Sequence, residues 1–247
     1  MMAEFMDGLF SIFFIETLMN ALLLGGVFAL LSLGLNLIFG VIDVVWICYA
    51  EIIMLGMYGI FFLHAEAGMP IVLASCFGVG LTALIGWLTH RFIIGYLLQA
   101  EPINQLLATG GLLFFFQGVA MVVFGIEFRN IGISLGSLAV SEDIYLSWTR
   151  LLSFALATLV VIALYLFLTR SYLGAAIRAI SQDREIMILM GVDTKRLYLL
   201  TSAIGGGLAG LGAALLVLQY DVHLFIGLSF GPITFMICVM GGLGNLV

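Results

Sequence analysis

Charged residues are scarce in this sequence, and the shortage excludes a soluble protein. Asp, Glu, Lys and Arg make up 9% of the 247 residues, whereas an average soluble domain contains about 25%. Hydrophobic residues make up 64%, and the mean hydropathy is +1.27. The composition predicts an all-α polytopic membrane protein with a single transmembrane domain over residues 1–247.

Cysteines and basic residues are also few. Cys48, Cys76 and Cys238 lie in apolar segments without metal-binding spacing, which argues against a disulfide framework or a zinc site and predicts a buried thiol at each position. The net charge of −6 is spread over the loops and offers no basic surface for nucleic acid. The partners that remain are lipid and other proteins.

Motifs of catalysis are missing as well. The sequence contains no Walker A motif, no His-Glu-x-x-His, no nucleophile elbow and no carboxylate pair at catalytic spacing. We therefore expect a non-catalytic protein without a cofactor of its own, whose energy source, if it drives active transport, lies in another subunit. An intramembrane enzyme is a weaker alternative, because no coherent set of polar residues lies at one depth.

Long uncharged runs cover most of the chain. Each of five runs has 19 to 24 residues, enough for a helix to cross a bilayer. Gly231-Pro232 interrupts the last apolar stretch and predicts a broken or re-entrant segment there. The small-residue run 203–214 predicts a face where another helix backbone approaches closely. The five runs are 17–40, 71–89, 103–126, 151–169 and 197–220.

The main polar interruption lies at 171–196. It holds Arg178, Arg184, Lys195 and Arg196, which are half of the eight Lys and Arg in the chain. Cytoplasmic loops of membrane proteins collect Lys and Arg. We therefore place this loop inside the cell.

Within that loop the pattern predicts a short helix over 182–190. Ser181 can cap its start, and Asp183 and Glu185 in the first turn offset the positive end of the helix dipole. Gly191 is a natural stop. At 1.5 Å per residue the helix is about 14 Å long, too short to span the membrane.

One face of this helix is apolar. Ile186, Leu189 and Met190 fall three and four residues apart, so they lie together on the helix surface. Asp193 or Thr194 can cap the membrane helix that follows. Two interpretations are open: an ordinary solvated loop, or a docking helix for a soluble partner.

The loop resembles the coupling loop of ABC-importer permeases, in particular the high-affinity branched-chain amino acid permeases. One departure is Met187, where the family has Ala. The resemblance implies that the loop inserts into a groove on a cytoplasmic ATPase. The positions that match this signature, or lie on the apolar face, are Gly174, Arg178, Ala179, Asp183, Glu185, Ile186, Leu189, Met190 and Gly191.

A second block, 34–58, resembles the pattern GLTLIFGV…INFAHGE..MLGAY of the same family. The family's Asn-Phe-Ala-His-Gly is Trp-Ile-Cys-Tyr-Ala at 46–50 here, and Glu51 is retained. A small polar turn has become bulky and aromatic. If this stretch lines the pathway, we expect a cargo other than a branched-chain amino acid.

Residues 41–51 allow two interpretations. Trp46 and Tyr49 either form an interfacial aromatic belt at a cytoplasmic turn, or belong to a broken segment that lines a cavity. Glu51 needs a partner or a water-filled path at membrane depth. These three residues and Asn36, which is interpreted first as an interhelical hydrogen bonder, are the candidate translocation residues.

The family resemblance extends from about Gly25 to Asn245. It implies a permease helix bundle in the bacterial inner membrane, with a second related permease subunit, two ATPases that bind ATP and Mg²⁺, and a periplasmic binding protein. Since the family continues beyond this length, we expect further C-terminal helices. The alternative function is a passive channel or a proton-coupled carrier, which Glu51 would suit and the capped loop helix would not.

The connection at 127–150 predicts a short hairpin on the outer face. Phe128, Ile131, Ile133 and Leu135 alternate with polar residues or glycine. The resemblance implies that this face meets the binding protein.

Overall fold

The computed structural model describes residues 12–132, 136–141 and 144–244, which form a helical bundle with one small hairpin. The helix that begins at Ile71 continues past Thr89 through a π-helical turn (His90–Ile94) and one further turn (Gly95–Leu97). The helices are α1 (Ile12–Ile42), α2 (Tyr49–Ala65), α3 (Ile71–Thr89), α4 (Pro102–Phe124), α5 (Trp148–Arg170), α6 (Tyr172–Gln182), α7 (Arg184–Leu189), α8 (Thr194–Leu216) and α9 (Ile226–Gly241).

Five helices of the described chain are long and apolar enough to cross a membrane. They correspond to the five uncharged runs, which confirms the prediction of an all-α polytopic membrane protein. Helices α2 and α9 are apolar but only 17 and 16 residues long. The spanning segments are Phe14–Ile42, Ile71–Leu97, Pro102–Phe124, Trp148–Arg170 and Thr194–Leu216.

The centre of the bundle is built from α1, α2 and α8. Over an 18-residue apolar stretch of each span, 61% and 67% of residues are buried in α1 and α8, against 22% to 28% in α3, α4 and α5. A Cβ added to Gly206 would lie 2.6 Å from the carbonyl oxygen of Thr82 on α3. Packing rather than hydrophobicity holds helices together in lipid, so this close approach confirms the predicted role of the small residues.

The chain breaks between α1 and α2. Asp43 takes a left-handed conformation (φ 59°), which aspartate tolerates better than most residues. Residues 43–48 are not helical. We call them the break segment.

The break predicted at Gly231-Pro232 is wrong. Helix α9 runs continuously through Pro232, although proline cannot donate to the preceding turn. Gly231 lets α9 approach α2 closely, because a Cβ there would lie 2.7 Å from the side chain of Ala50. Packing against α2 therefore holds the helix together despite one lost hydrogen bond.

The connection between α4 and α5 contains the predicted hairpin, but farther along the chain. Strands β1 (Ser137–Ser141) and β2 (Ile144–Ser147) pair antiparallel, downstream of the alternation that predicted them. Ile133 and Leu135 lie outside the described residues. Leu146, on strand β2, is buried.

The prediction of three buried thiols holds for two of them. Cys48 and Cys238 are buried, whereas Cys76 is exposed. Cys76 lies on the exposed face of α3.

Candidate functional site

The loop at 171–196 forms two helices, and the predicted helix over 182–190 is wrong in its bounds. Helix α6 ends at Gln182 and α7 covers only Arg184–Leu189. Between them Asp183 is extended (φ −152°), and its Oδ1 accepts a hydrogen bond of 3.0 Å from the backbone N–H of Ile186. A carboxylate at an N-cap both satisfies a free N–H and offsets the dipole, so Asp183 is the cap.

The predicted cap at Ser181 is therefore also wrong. Its hydroxyl donates to the carbonyl of Arg178 at 2.8 Å, inside α6. The cap of α6 is Ser171, whose Oγ accepts from the N–H of Gly174 at 2.9 Å.

The end of α7 is as predicted. Gly191 has φ 79° and donates its N–H to the carbonyl of Ile188 at 3.1 Å, while Val192 donates to Met187 at 3.2 Å. These two bonds form a Schellman motif, in which glycine is favoured. Asp193 then caps α8 by accepting from the N–H of Arg196 at 3.2 Å.

The predicted apolar face of α7 exists and is uncovered. Ile186, Leu189 and Met190 have exposed fractions of 55%, 85% and 75%. Met187, in contrast, packs against the core. Glu185 belongs to α7 by its backbone, and its side chain lies outside the described part of the chain.

Three residues of the coupling-loop signature, Gly174, Arg178 and Ala179, belong to α6 and face the bundle. Gly174 is buried, and a Cβ there would overlap the backbone of Phe167 and Leu168 at the end of α5. Arg178 and Ala179 are half-buried, and the Nε of Arg178 has no hydrogen-bond partner. These residues therefore belong to the helix before α7 and not to its exposed face.

Arg184 is a functional candidate that the sequence analysis did not single out. Its Nη2 donates to the carbonyl of Val41, at the end of α1, at 3.1 Å. Its guanidinium carbon lies 5.6 Å from the ring centroid of Tyr198. A basic residue in the first turn of a helix is unfavourable next to the positive end of the helix dipole. This unfavourable position was the sequence signal that Arg184 makes a contact outside its own helix.

The interfacial-belt interpretation of the break segment is wrong. Trp46 and Tyr49 are each only 2% exposed, and the hydroxyl of Tyr49 donates to the carbonyl of Leu31 at 3.2 Å. Both line a mostly apolar cavity of about 310 Å³, together with residues of α4 and α9. The structure supports the interpretation of a broken segment that lines a cavity.

Glu51 is fully buried, and it lines neither the cavity next to Trp46 nor the cavity next to Asn36. Its Oε1 accepts from Nε2 of Gln117 on α4 at 3.0 Å, and its Oε2 has no hydrogen-bond partner among the residues that the structure describes. Gln117 was missed, although it is one of the few polar residues in the run 103–126. A buried carboxylate with one neutral partner is costly, which marks the α2–α4 contact as a functional candidate.

Asn36 lies apart from the other candidates. Its Oδ1 accepts from the N–H of Gly244 at 2.8 Å, in the turn after α9, so this bond is not the interhelical one that was predicted. It lines a second cavity of about 420 Å³ between α1, α5 and α9. The candidate translocation residues thus occupy three places: one cavity, a second cavity and a helix contact.

Comparisons with known proteins agree with this architecture. A family model described as the permease component of branched-chain amino acid transport systems matches residues 17–247. The permease protein BraD of Pseudomonas aeruginosa is 28% identical over 247 residues, which cover 94% of this chain and 80% of BraD. The high-affinity branched-chain amino acid permease LivH of Escherichia coli is 26% identical over 95% of this chain and 81% of its own length.

No solved structure matches the chain. The family match nevertheless covers nearly all of it. The chain therefore belongs to the family of permease components of branched-chain amino acid transport systems, and it is a non-catalytic, multi-pass protein of the bacterial inner membrane.

Proposed function

We propose that this chain is the transmembrane permease subunit of an ATP-driven ABC importer for amino acids or similar small polar solutes. The observation that carries the proposal is α7, hereafter the docking helix. It is capped at both ends, lies outside the spanning segments and exposes three large apolar side chains. Such side chains in water favour a protein partner, here a cytoplasmic ATPase.

The partners follow from the chemistry that this chain does not supply. Two ATPase subunits bind ATP and Mg²⁺, a second related permease subunit completes the pathway, and a periplasmic binding protein delivers the cargo. The relatives are named as parts of transport systems, which supports a complex of several subunits.

The break segment is the part of the pathway that we assign to cargo. Trp46 and Tyr49 line its cavity, and Glu51 lies in the first turn of α2, two residues after Tyr49. We expect Trp46→Asn together with Tyr49→His to change which amino acid the assembled transporter takes up. Unchanged cargo preference would contradict a role of this cavity in selection.

Co-purification tests the docking helix. Wild type should retain a cytoplasmic ATPase through detergent extraction, and Leu189→Asp should lose it, because the charge replaces an apolar contact at an exposed position. Gln182→Asp is the matched control, since it adds the same charge to an exposed residue just outside the docking helix. Equal retention in all three proteins would contradict the proposal.

Glu51 favours a second candidate, a passive channel or a proton-coupled carrier. A buried carboxylate without a basic partner is typical of proton pathways in membranes. Purified chain in liposomes that carries cargo without any ATPase, and loses this activity in Glu51→Gln, would favour the carrier over the importer.

A further inference from the structure

The docking helix has few attachments to the bundle. Ile186 and Leu189 are exposed, as is Met190 just after the helix, whereas Met187 packs against the core. Arg184, its first residue, makes the hydrogen bond into α1. Arg184 is therefore a direct route by which a force applied to the docking helix by a partner reaches α1.

The acceptor of that bond is placed where α1 ends. Val41 is fully buried, and its carbonyl is one of the last four of α1, which have no complete set of partners within the helix. A guanidinium at a helix C-terminus also interacts favourably with the negative end of the helix dipole. The donor of this hydrogen bond is thus a charged guanidinium, and the acceptor is a buried backbone carbonyl.

The break segment begins two residues after Val41. Asp43 turns the chain with its positive φ, and the segment is held from α4 by Thr109, whose hydroxyl donates to the carbonyl of Val45 at 3.0 Å. Trp46, in the same segment, lines the cavity. A displacement of the Val41 carbonyl therefore moves the start of the segment that forms the cavity wall.

Tyr198 fixes the other side of Arg184. The ring is mostly buried at the start of α8, and a cation–π contact adds about 0.5–2 kcal/mol to the preference for one guanidinium position. Arg184 thus contacts α1 and α8, two of the three central helices. Lys195, in the same loop, is exposed.

We propose that Arg184 is a positioning residue that couples the docking helix to the break segment through the Val41 carbonyl. This inference rests on the proposed function. When an ATPase moves the docking helix, Arg184 moves the end of α1, and the break segment opens or closes its cavity. Arg184 itself touches neither nucleotide nor cargo.

Cys48 provides the test, because it is a native, fully buried thiol in the break segment. In a Cys76→Ser, Cys238→Ser background it is the sole cysteine of the chain. The complex with its co-purified ATPase is treated with N-ethylmaleimide, with and without ATP and Mg²⁺. The wild-type Arg184 protein should show a nucleotide-dependent change in the Cys48 labelling rate of about fivefold or more, the low end of typical coupling between two sites.

Arg184→Ala should retain the ATPase but lose the nucleotide dependence of Cys48 labelling. Arg184→Lys, which keeps the charge and a donor, should restore part of it. Lys195→Ala removes a charge from the same loop and should label as wild type does. Retained binding in Arg184→Ala excludes simple misfolding as the cause.

Two results overturn the inference while the proposed function stands. One is Arg184→Ala that labels with wild-type nucleotide dependence. The other is a wild-type complex in which Cys48 labelling does not depend on nucleotide. A wild-type chain that retains no ATPase at all would instead overturn the proposed function, and with it the coupling role.

Discussion

Two loops of this permease, at opposite ends of α5, each contain an arginine that lies over an aromatic ring. In the loop at 171–196 Arg184 lies over Tyr198, and in the hairpin loop at 125–147 Arg129 lies over Phe61 and Phe62, with its guanidinium carbon 5.6 and 4.8 Å from their ring centroids. Because α5 spans the membrane, the two loops lie on opposite faces.

The hairpin loop is attached at many points. Arg129 exchanges backbone hydrogen bonds with Val222 at 2.9 and 2.7 Å, and its guanidinium donates to the carbonyl of Phe124 at 3.2 Å and to Glu66 at 3.5 Å. Asn130 donates to Asp221 in the same region. The described residues around Arg129 are therefore part of the folded bundle.

The docking helix is attached at few points and exposes its apolar residues. The comparison teaches that the same side chain serves two purposes, set by what surrounds it. Arg129 joins segments that are already packed, so its removal affects stability. Arg184 joins a helix with an exposed apolar surface to the core, so we expect its removal to affect the proposed transmission of movement.

The largest expected effect on stability is therefore at the hairpin loop. Arg129→Ala removes the contacts with two rings and hydrogen bonds from a mostly buried cation, and should lower the free energy of unfolding by about 2–4 kcal/mol. Thermal unfolding in detergent measures the change. Arg91→Ala, at an exposed position outside both loops, is the control. An equal loss of unfolding free energy in both variants would show that the contacts of Arg129 do not stabilise the fold.

A smaller effect is expected at the cap of the docking helix. Asp183→Ala removes the bond to the N–H of Ile186 and should destabilise this short helix by about 1 kcal/mol. Hydrogen exchange of the amides in 184–189 should become about fivefold faster, while the melting temperature of the bundle stays nearly constant. Asp183→Asn retains an acceptor and should exchange more slowly than Asp183→Ala; equal exchange in the two variants would contradict the cap.

Composition and run length were sufficient to predict the spanning helices, since lipid imposes one secondary structure and one minimum length. Local chemistry was less decisive at helix ends. Ser181 and Asp183 are both good caps, and only the structure shows that the chain turns at the second. Gly231-Pro232 predicted a break that packing against α2 prevents.

The contacts of the candidate site could not be predicted from local pattern. Arg184 and Val41 are 143 residues apart in the sequence, and Glu51 and Gln117 are 66 apart. Periodicity and capping rules reach only a few residues along the chain. The sequence identified Trp46, Tyr49 and Glu51 as unusual at membrane depth, but their division between a cavity and a helix contact follows from the tertiary arrangement.

The smallest expected effect on the free energy of unfolding is at Leu189, which is compared with a leucine of the other loop. Leu189 on the docking helix is 85% exposed, whereas Leu146 on strand β2 is 6% exposed. Leu189→Ala should change the free energy of unfolding by less than about 0.5 kcal/mol, as is usual at an exposed site, and still weaken retention of the ATPase. Leu146→Ala should cost about 2 kcal/mol or more, because it leaves a cavity, and should not weaken retention in the molecules that remain folded. Unfolding curves and co-purification on the same samples measure both quantities, and a Leu189→Ala protein as unstable as Leu146→Ala would show that the docking helix is packed, contrary to its exposed face.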